Sequence, residues 1–259
     1  YVGTLSLLFV PPAEGDGMEI IMHYIISDIH GQITAFKRLL EKIDFDGCRD
    51  KMIIAGDIID RGNYGIELIK FIQPYVEAAS MKMLIGNHKK FCLNYIEGKL
   101  DDFSYKLYGG AETINSLNKM TAESKNELYL FLKNLPIYEE IRTKYGATVV
   151  THSGLLKNCL IYNNDRTINV IHSIEKAADI NLFDFLLSDD IHYMNDSELN
   201  SLDKFMIVGH VPVLKLNNDG SNHIHRKSGY ICIDTGAPFI EKGGALSCYC
   251  VETDEQIYS

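Results

Sequence analysis

Five short aliphatic segments of this chain each run directly into a polar cluster, and this repeated pattern limits how the chain can fold. Each segment is short enough for a buried strand, and each is followed by residues that a hydrophobic core does not favour. The segments and their clusters are residues 23–27 before Asp28-Ile29-His30, residues 52–55 before Gly56-Asp57, residues 81–85 before Gly86-Asn87-His88, residues 148–150 before Thr151-His152, and residues 204–208 before Gly209-His210. Because ligands of open α/β sheets gather beyond the carboxyl ends of strands, the pattern predicts one site built from all five clusters.

Helical periods fill several gaps between these strands. Apolar residues recur at helical spacing over residues 33–43, after the first cluster, and over residues 66–72, after the second. Strands that alternate with helices indicate βαβ units and an α/β fold. Residues 100–135 combine scattered apolar positions with good helix formers and stop before Pro136, which predicts a helical insertion. In the last third, residues 206–208, 211–216, 230–233 and 245–251 are expected to be strands.

The length of 259 residues suits one large domain, which we place at residues 18–259. Residues 1–17 hold a short, mostly apolar run followed by Pro11-Pro12 and a stretch of Gly, Asp and Glu. Because they have no basic flank and no clear cleavage site, we expect a disordered or non-native leader rather than a signal peptide. No apolar run approaches the roughly eighteen residues that span a bilayer, so no membrane partner is expected.

Charge and cysteine usage exclude some classes of protein. Acidic side chains outnumber basic ones by 35 to 25, which gives a formal net charge of −10. This balance repels phosphate backbones, so no nucleic-acid partner is expected. The six cysteines are scattered, without the dense spacing of a disulfide-stapled domain and without a CxxC pair. We therefore expect reduced thiols in a cytoplasmic protein.

The polar clusters carry six candidate metal ligands, which are Asp28, His30, Asp57, Asn87, His152 and His210. Their carboxylate, imidazole and amide donors suit Mn²⁺, Fe or Zn²⁺ better than Ca²⁺. Taken singly, an Asp after a strand is usually a helix cap and a His is usually a structural hydrogen-bonding residue. Joint placement at five strand ends instead favours two ions about 3.5–4 Å apart that share one carboxylate. Asp57, in the middle of the series, is the natural bridge.

Five motifs occur in order along the chain: Asp28-x-His30, Gly56-Asp57-Ile58-Ile59-Asp60-Arg61-Gly62, Gly86-Asn87-His88, His152 and Gly209-His210. In order and rough spacing they resemble the motifs of calcineurin-like metallophosphoesterases, specifically the phosphoprotein phosphatase branch with its phage and bacterial members. The resemblance covers about residues 22 to 252, because Tyr108-Gly109-Gly110 and Ile233-Asp234-Thr235-Gly236-Ala237 also look like bacterial members. It implies a two-sheet β-sandwich flanked by helices, with a dinuclear metal centre at the strand ends.

The resemblance also implies a role for each motif residue. Asp28 and His30 would hold the first metal, Asp57 would bridge, and Asn87, His152 and His210 would hold the second. His88 would be the general acid, oriented by Asp60, and Arg61 would grip the phosphate through a bidentate guanidinium. An imidazolium paired with a carboxylate keeps its proton until it is transferred to the leaving alkoxide, which is a poor leaving group near neutral pH.

Two departures from the family pattern concern the substrate. Protein phosphatases of this branch usually have Arg before and Glu after the Gly-Asn-His motif, whereas this chain has Ile85 and Lys89. For Lys89 we expect a solvated surface lysine, with a point charge on the phosphate as the alternative. The family's second phosphate-binding arginine lies between the two metal-binding histidines, where this chain has only Arg166 in a polar stretch. We do not expect Arg166 to take that role.

The leading functional hypothesis is a metal-dependent phosphatase, with Mn²⁺ as the expected metal, acting on phosphoserine and phosphothreonine in proteins. A symmetrical diadenosine tetraphosphate hydrolase has a similar catalytic core and is the alternative enzyme. A regulatory or binding protein on an inactive phosphatase fold is the third hypothesis. The complete ligand set and the presence of both His88 and Asp60 argue against it.

Overall fold

Two mixed β-sheets form the centre of the molecule in a computed structural model, which describes residues 21–259. The predicted leader at residues 1–17 lies outside the described residues. The strands are β1 (His23–Ile26), β2 (Lys51–Ile54), β3 (Met81–Met83), β4 (Tyr138–Thr143), β5 (Gly146–Thr151), β6 (Phe205–Val208), β7 (His225–Arg226), β8 (Tyr230–Cys232), β9 (Ser247–Cys250) and β10 (Glu255–Tyr258). Their order is β10-β9-β1-β2-β3 in the first sheet and β4-β5-β6-β8-β7 in the second.

Parallel strands at the centre of each sheet carry the predicted polar clusters at their carboxyl ends. β1, β2 and β3 are parallel in the first sheet, and β5, β6 and β8 are parallel in the second. Antiparallel strands extend each sheet at its edges, with β9 and β10 on the first and β4 and β7 on the second. Since parallel neighbours end at the same edge, the clusters converge there.

Eight α-helices of the described residues lie outside the sheets. They are α1 (Ile33–Lys42), α2 (Gly65–Glu77), α3 (Asn87–Ile96), α4 (Asp102–Leu107), α5 (Ala111–Asn118), α6 (Ala122–Lys133), α7 (Val170–Leu186) and α8 (Asp196–Asn200). The alternation of β1, α1, β2, α2 and β3 confirms the predicted βαβ units. The helical insertion predicted at residues 100–135 is present as α4, α5 and α6.

Three layers of buried apolar side chains hold the sheets and helices together. The first layer packs helices α1 to α6 on the outer face of the first sheet, and the second packs α7 and α8 on the second sheet. The third layer lies between the sheets, where Ile25 and Tyr249 meet Val150, Ile207 and Ile231. The α/β sandwich predicted from the sequence is therefore confirmed.

One predicted strand is wrong. Residues 211–216 do not pair with a sheet, and Val213–Lys215 forms a short 3₁₀ helix instead. Pro212 cannot donate to a strand ladder, and the N–H of Val213 bonds to the carbonyl of Asp234. Val213, one of the apolar residues that suggested a strand, is fully buried. It therefore anchors the loop after β6 to the core.

The structure also bears on the state of the cysteines and on the character of the helices. None of the six cysteines forms a disulfide, and all but Cys48 are buried. Among residues 21–259, no helix has both the length and the apolar character needed to cross a membrane.

Candidate metal centre

The six predicted ligands converge at the carboxyl edge of the two sheets. Asp28 and His30 follow β1, Asp57 follows β2, and Asn87 begins α3 after β3, while His152 and His210 follow β5 and β6. All are buried except His210, which is half-buried. The backbone N–H of His210 donates to Asp28 Oδ2 at 2.9 Å. This bond brings two segments that are 182 residues apart in sequence into one cleft.

Asp57 lies at the middle of this cluster. Its Oδ2 is 3.9 Å from His30 Nε2, 3.8 Å from His88 Nε2 and 3.6 Å from His152 Nε2. Two groups of potential ligand atoms, each within 4.8 Å of one another, are formed by His30, Asp57 and His88 and by Asp57, His152 and His210. Asp57 belongs to both groups, which is the position that a bridging carboxylate requires.

Two glycines permit the close approach of these segments. A Cβ at Gly86 would collide with Asp57 Oδ1, and a Cβ at Gly209 would collide with Asp28 Oδ2. The glycines of the Gly-Asn-His and Gly-His motifs are therefore needed because a carboxylate packs directly against the backbone at each position.

The imidazoles of His30 and His152 are oriented by backbone carbonyls. His30 Nδ1 lies 2.8 Å from the carbonyl of Ile59, and His152 Nδ1 lies 3.1 Å from the carbonyl of Ala55. With the Nδ1 proton donated to a carbonyl, a neutral imidazole presents the lone pair of Nε2 to the cleft. This is the tautomer that coordinates a metal.

The contact between His152 and Asn87 also suits a bound cation. His152 Nε2 lies 2.9 Å from Asn87 Oδ1. When the Nδ1 proton of His152 is donated to the carbonyl of Ala55, Nε2 and Asn87 Oδ1 both present lone pairs, an arrangement that suits a shared cation. The donor set thus fits a divalent metal on a physical ground independent of the motif.

Burial and charge set the protonation states of the cluster. Burial raises the pKa of Asp57, but the surrounding imidazoles, above all those of His152 and His88, lower it by more. The net effect is a lowered pKa, which favours the carboxylate. Burial lowers the pKa of His210 to about 3, and His152 adds to the effect. Burial likewise lowers the pKa of His30. Neutral imidazoles at His30 and His210 and an ionised carboxylate at Asp57 are the states in which these groups bind a metal.

Burial and the neighbouring Asp57 raise the pKa of Asp28. Asp234, which follows β8, is also buried, and its pKa is raised by burial and by Asp28. Several carboxylates confined in one buried cleft repel one another, and bound divalent cations would remove that cost. The residues present therefore fit the two divalent ions that the sequence predicts.

His88 and Asp60 form a second arrangement next to the cluster. His88 Nδ1 lies 2.8 Å from Asp60 Oδ2, and both residues are buried. The other oxygen of Asp60 accepts hydrogen bonds from Tyr105 Oη at 2.9 Å and from Thr113 Oγ1 at 2.5 Å. Burial lowers the pKa of His88, but Asp57 and Asp60 outweigh it and raise the pKa above its ordinary value. The imidazole can therefore carry a proton beside the candidate metal ligands.

Arg61 lies at the mouth of the cleft and is exposed. Its Nη1 is 3.3 Å from His30 Nε2, and its guanidinium carbon lies 5.7 Å from the centre of the Phe239 ring. Asp60 and Arg61 have φ angles of 66° and 62°, a left-handed conformation that costs roughly 1 kcal/mol or more per non-glycine residue. Surrounding contacts must hold this pair in place.

The predictions for Arg166 and Lys89 have different outcomes. Arg166 is exposed in a turn, and among the described residues its side chain makes no ion pair or hydrogen bond. Lys89 is only 7% exposed, so the expectation of a solvated surface lysine is wrong. Burial, with a contribution from Lys90, lowers the pKa of Lys89 to about 8. The first turn of α3 therefore buries a cation next to His88.

Sequence reasoning assigned no role to Asp234, Tyr105 or Thr113. Asp234 carried a usable signal, because it follows the aliphatic strand β8 as the other ligands follow theirs. Tyr105 and Thr113 lie in the helical insertion, 45 and 53 residues after Asp60. Nothing in the local sequence marks them as partners of that carboxylate.

A model of the calcineurin-like phosphoesterase family matches residues 24–243. Curated relatives include two symmetrical bis(5'-nucleosyl)-tetraphosphatases. The protein from Shewanella sp. (strain W3-18-1) is 29% identical over 133 residues, which are 51% of this chain and 44% of that protein. The protein from Coxiella burnetii (strain Dugway 5J108-111) is 30% identical over 134 residues, which are 51% of this chain and 41% of that protein. Each match thus spans less than half the length of the relative.

Solved structures share the fold. A protein serine/threonine phosphatase from Saccharomyces cerevisiae, with similarity to human phosphatase PP5, superposes with a TM-score of 0.59 at 14% identity, over 92% of this chain and 79% of that one. A putative diadenosine tetraphosphatase gives a TM-score of 0.56 at 15% identity, over 92% of each chain. At these identities the likeness concerns the fold alone.

Proposed function

The chain belongs to the calcineurin-like phosphoesterase family, and from that premise we propose that it hydrolyses phosphate esters at a dinuclear metal centre, with phosphoserine and phosphothreonine in proteins as its main substrates. One observation carries the proposal. Asp57 is shared by two groups of potential ligand atoms, and His88, which belongs to the first group, is paired with Asp60. A bridging carboxylate next to a protonated imidazole combines the two functions that hydrolysis of an alkyl phosphate needs.

The proposed ligands divide into two sets that share Asp57. Asp28 and His30 complete the first set, and Asn87, His152 and His210 complete the second. When bound, the two ions supply Lewis-acid activation of water and of the phosphoryl group. The donors are oxygen and nitrogen, without a thiolate, which supports Mn²⁺ as the working metal.

His88 acts as the general acid in this proposal. It donates a proton from Nε2 to the departing alkoxide, while Asp60 holds Nδ1 at 2.8 Å and keeps the ring in one orientation. His88 Nε2 also lies 3.8 Å from Asp57 Oδ2, so the ring is within reach of the reacting atoms. Arg61, exposed at the mouth, binds the non-bridging phosphate oxygens with its planar guanidinium.

Hydrolysis of dinucleoside tetraphosphates is the second candidate, and the curated relatives are what favour it. The relatives matched over half of this chain are named as symmetrical bis(5'-nucleosyl)-tetraphosphatases. The metal ligands and the general acid would serve either reaction, because each cleaves a bond between phosphorus and oxygen. A protein without catalysis on the same fold is the least supported, since the donor set and the His88–Asp60 pair are complete.

A turnover panel after metal reconstitution tests the proposal. The substrates are phosphoserine, phosphothreonine and phosphotyrosine peptides, an aryl phosphate and diadenosine tetraphosphate. We expect Mn²⁺-dependent turnover, abolished by chelation, with higher kcat/KM on phosphoserine and phosphothreonine peptides than on the dinucleotide. The reverse preference would assign the chain to the second candidate. Metal binding without turnover of any ester, or full activity in protein shown to be metal-free, would reject the proposal.

The thiols and the chain's charge support a proposed cytoplasmic location with phosphorylated proteins or small phosphoesters as partners. Five of the six cysteines are buried and unpaired, which suits a reducing compartment. The net charge of −10 disfavours binding to nucleic acid.

A further inference from the structure

The helical insertion makes direct contact with the carboxylate that orients His88. Tyr105 comes from α4 and Thr113 from α5, and both are buried. Their hydroxyl groups donate to the same oxygen of Asp60, at 2.9 Å and 2.5 Å, while the other oxygen faces His88 Nδ1. The two oxygens of Asp60 therefore have separate partners: one is anchored by the insertion, and the other serves the imidazole.

The turn between α4 and α5 also holds the next residue, Arg61. The backbone N–H of Arg61 donates to the carbonyl of Gly109 at 2.9 Å. A Cβ at Gly109 would lie 2.9 Å from Arg61 Cγ, so the turn packs closely against the arginine side chain. The insertion thus contacts both residues of the left-handed Asp60–Arg61 pair.

An aromatic contact fixes this turn relative to the helix that carries His88. The ring of Tyr108 stacks on Phe91 of α3, with centroids 4.1 Å apart and planes 10° apart. The ring of Phe91 lies 5.5 Å from the ring of His88. The imidazole, its carboxylate and the insertion are therefore packed as one unit.

We infer that Tyr105 and Thr113 are positioning residues for proton transfer: they hold Asp60 so that it keeps the His88 ring aimed at the leaving oxygen. The physical reason is rotational freedom. A carboxylate with one bonded oxygen can turn about its Cβ–Cγ bond, whereas one with both oxygens bonded has a single orientation. Neither residue is required for metal binding, because the anchored oxygen faces away from the His88 ring and into the insertion.

The inference rests on the proposed function, because it concerns the general acid of that reaction. It predicts a loss that depends on the leaving group. An alkyl phosphate needs a proton on its departing oxygen and an aryl phosphate needs it much less, so misplacing His88 should slow the former more. A purely structural role would slow both alike.

Thr113→Val and Tyr105→Phe test this, since each removes one hydroxyl and keeps the side-chain shape. Each should lower kcat on a phosphoserine peptide about 10-fold, and the double variant about 10²-fold, approaching the loss expected without the general acid. On an aryl phosphate the loss should stay below about threefold, and KM and metal content should be unchanged. Thr113→Ser, which restores the hydroxyl, should recover the parent kcat.

Matched controls remove buried hydroxyls far from the site. Thr143→Val breaks the bond to Thr148 between β4 and β5, and Tyr249→Phe breaks the bond to Asp254 in the turn between β9 and β10. Both should leave kcat on either ester unchanged. Equal losses on alkyl and aryl esters in Thr113→Val, or no loss in the double variant, would overturn the inference.

A measurement without turnover separates this inference from the proposed function. The Nδ1 proton of His88, bonded to a carboxylate, gives a downfield proton resonance that is assigned by its absence in His88→Ala. In protein loaded with diamagnetic Zn²⁺, we expect the signal in the parent and in Thr143→Val, and its loss or broadening in the Tyr105→Phe/Thr113→Val double variant. If the parent hydrolyses no ester, the proposed function fails, and this signal still decides the inference. An unchanged signal in the double variant would overturn it.

Discussion

The carboxylate of Asp57 caps the first turn of α3, because its Oδ1 accepts the backbone N–H of His88 at 3.0 Å. Its Oδ2 meanwhile faces the imidazoles of His30, His88 and His152 at 3.6 to 3.9 Å. One side chain therefore fixes the start of the helix that supplies Asn87 and His88, and also lies between the two candidate metal sites.

Replacing Asp57 with Asn should abolish binding of both metals, because an amide keeps the helix cap but loses the charge that two cations share. Bound Mn²⁺ per protein, measured by elemental analysis after gel filtration, should fall well below that of the parent. The control is Asp44→Asn, at an exposed residue with φ of 49°, a conformation that Asn tolerates. Retention of two ions by the Asp57 variant would contradict the bridging role.

His88→Ala should lower kcat on an alkyl phosphate by roughly 10²–10⁴-fold, the usual contribution of general acid catalysis. The loss should shrink on aryl phosphates, and the metal content should stay at the parent level. This second measurement matters because His88 Nε2 also lies within 4.8 Å of ligand atoms of His30 and Asp57. Loss of one ion in His88→Ala would make His88 a ligand rather than the acid.

Arg61→Ala should reduce kcat/KM on an aryl phosphate by roughly 10–10²-fold under saturating metal, the scale of hydrogen bonds to a charged group. Arg61→Lys should recover only part of the loss, because an ammonium group cannot form the bidentate contact. Arg166→Ala is the matched control and should have little effect, since Arg166 is exposed in a turn. A large loss at Arg166 with none at Arg61 would show that the phosphate binds elsewhere in the cleft.

Lys89→Met should stabilise the protein near neutral pH. Burial lowers the pKa of Lys89 to about 8 from its ordinary value of 10.5. Between these values the unfolded state binds more protons, so the lysine's unfavourable contribution is full below pH 8 and is relieved as the pH rises toward 10.5. Replacing it should raise the free energy of unfolding at pH 7 by up to about 3 kcal/mol.

Thermal unfolding of Lys89→Met at several pH values measures this effect. The gain over the parent should be largest at pH 7, should fall as the pH rises from 8 to 10.5, and should vanish above that range, where the parent lysine is neutral in both states. Lys70→Met, at an exposed lysine of α2 away from Lys89, serves as the control. An unchanged melting temperature together with a fall in kcat/KM on an aryl phosphate would instead place the Lys89 charge on the phosphate.

Local sequence was sufficient to predict the strands β1, β2, β3, β5 and β6 and the candidate ligands that follow them. A buried parallel strand needs only a short aliphatic run, and the polar residues that end it are visible because a core excludes them. Asp28, Asp57 and His152 were found in this way, each within three residues of a strand's end. The same rule extended to β8 would have found Asp234.

Contacts between distant segments were decided only by the tertiary structure. Residues 211–216 had the composition of a strand, but Pro212 and the bond from Val213 to Asp234 made them a loop. Lys89 looked like a surface lysine, because its burial depends on what packs against α3 rather than on α3 itself.

The sequence by itself determined which residues could bind metal and at which strand ends they would lie, because strand formation and the exclusion of polar groups from a core are local properties. Only the tertiary structure decided that Tyr105 and Thr113 anchor Asp60, across 45 and 53 residues of chain. A hydrogen bond at that separation leaves no periodic or compositional pattern, since it depends on how the insertion packs over the left-handed Asp60–Arg61 pair. The orientation of the proposed general acid is therefore a property of the packed fold.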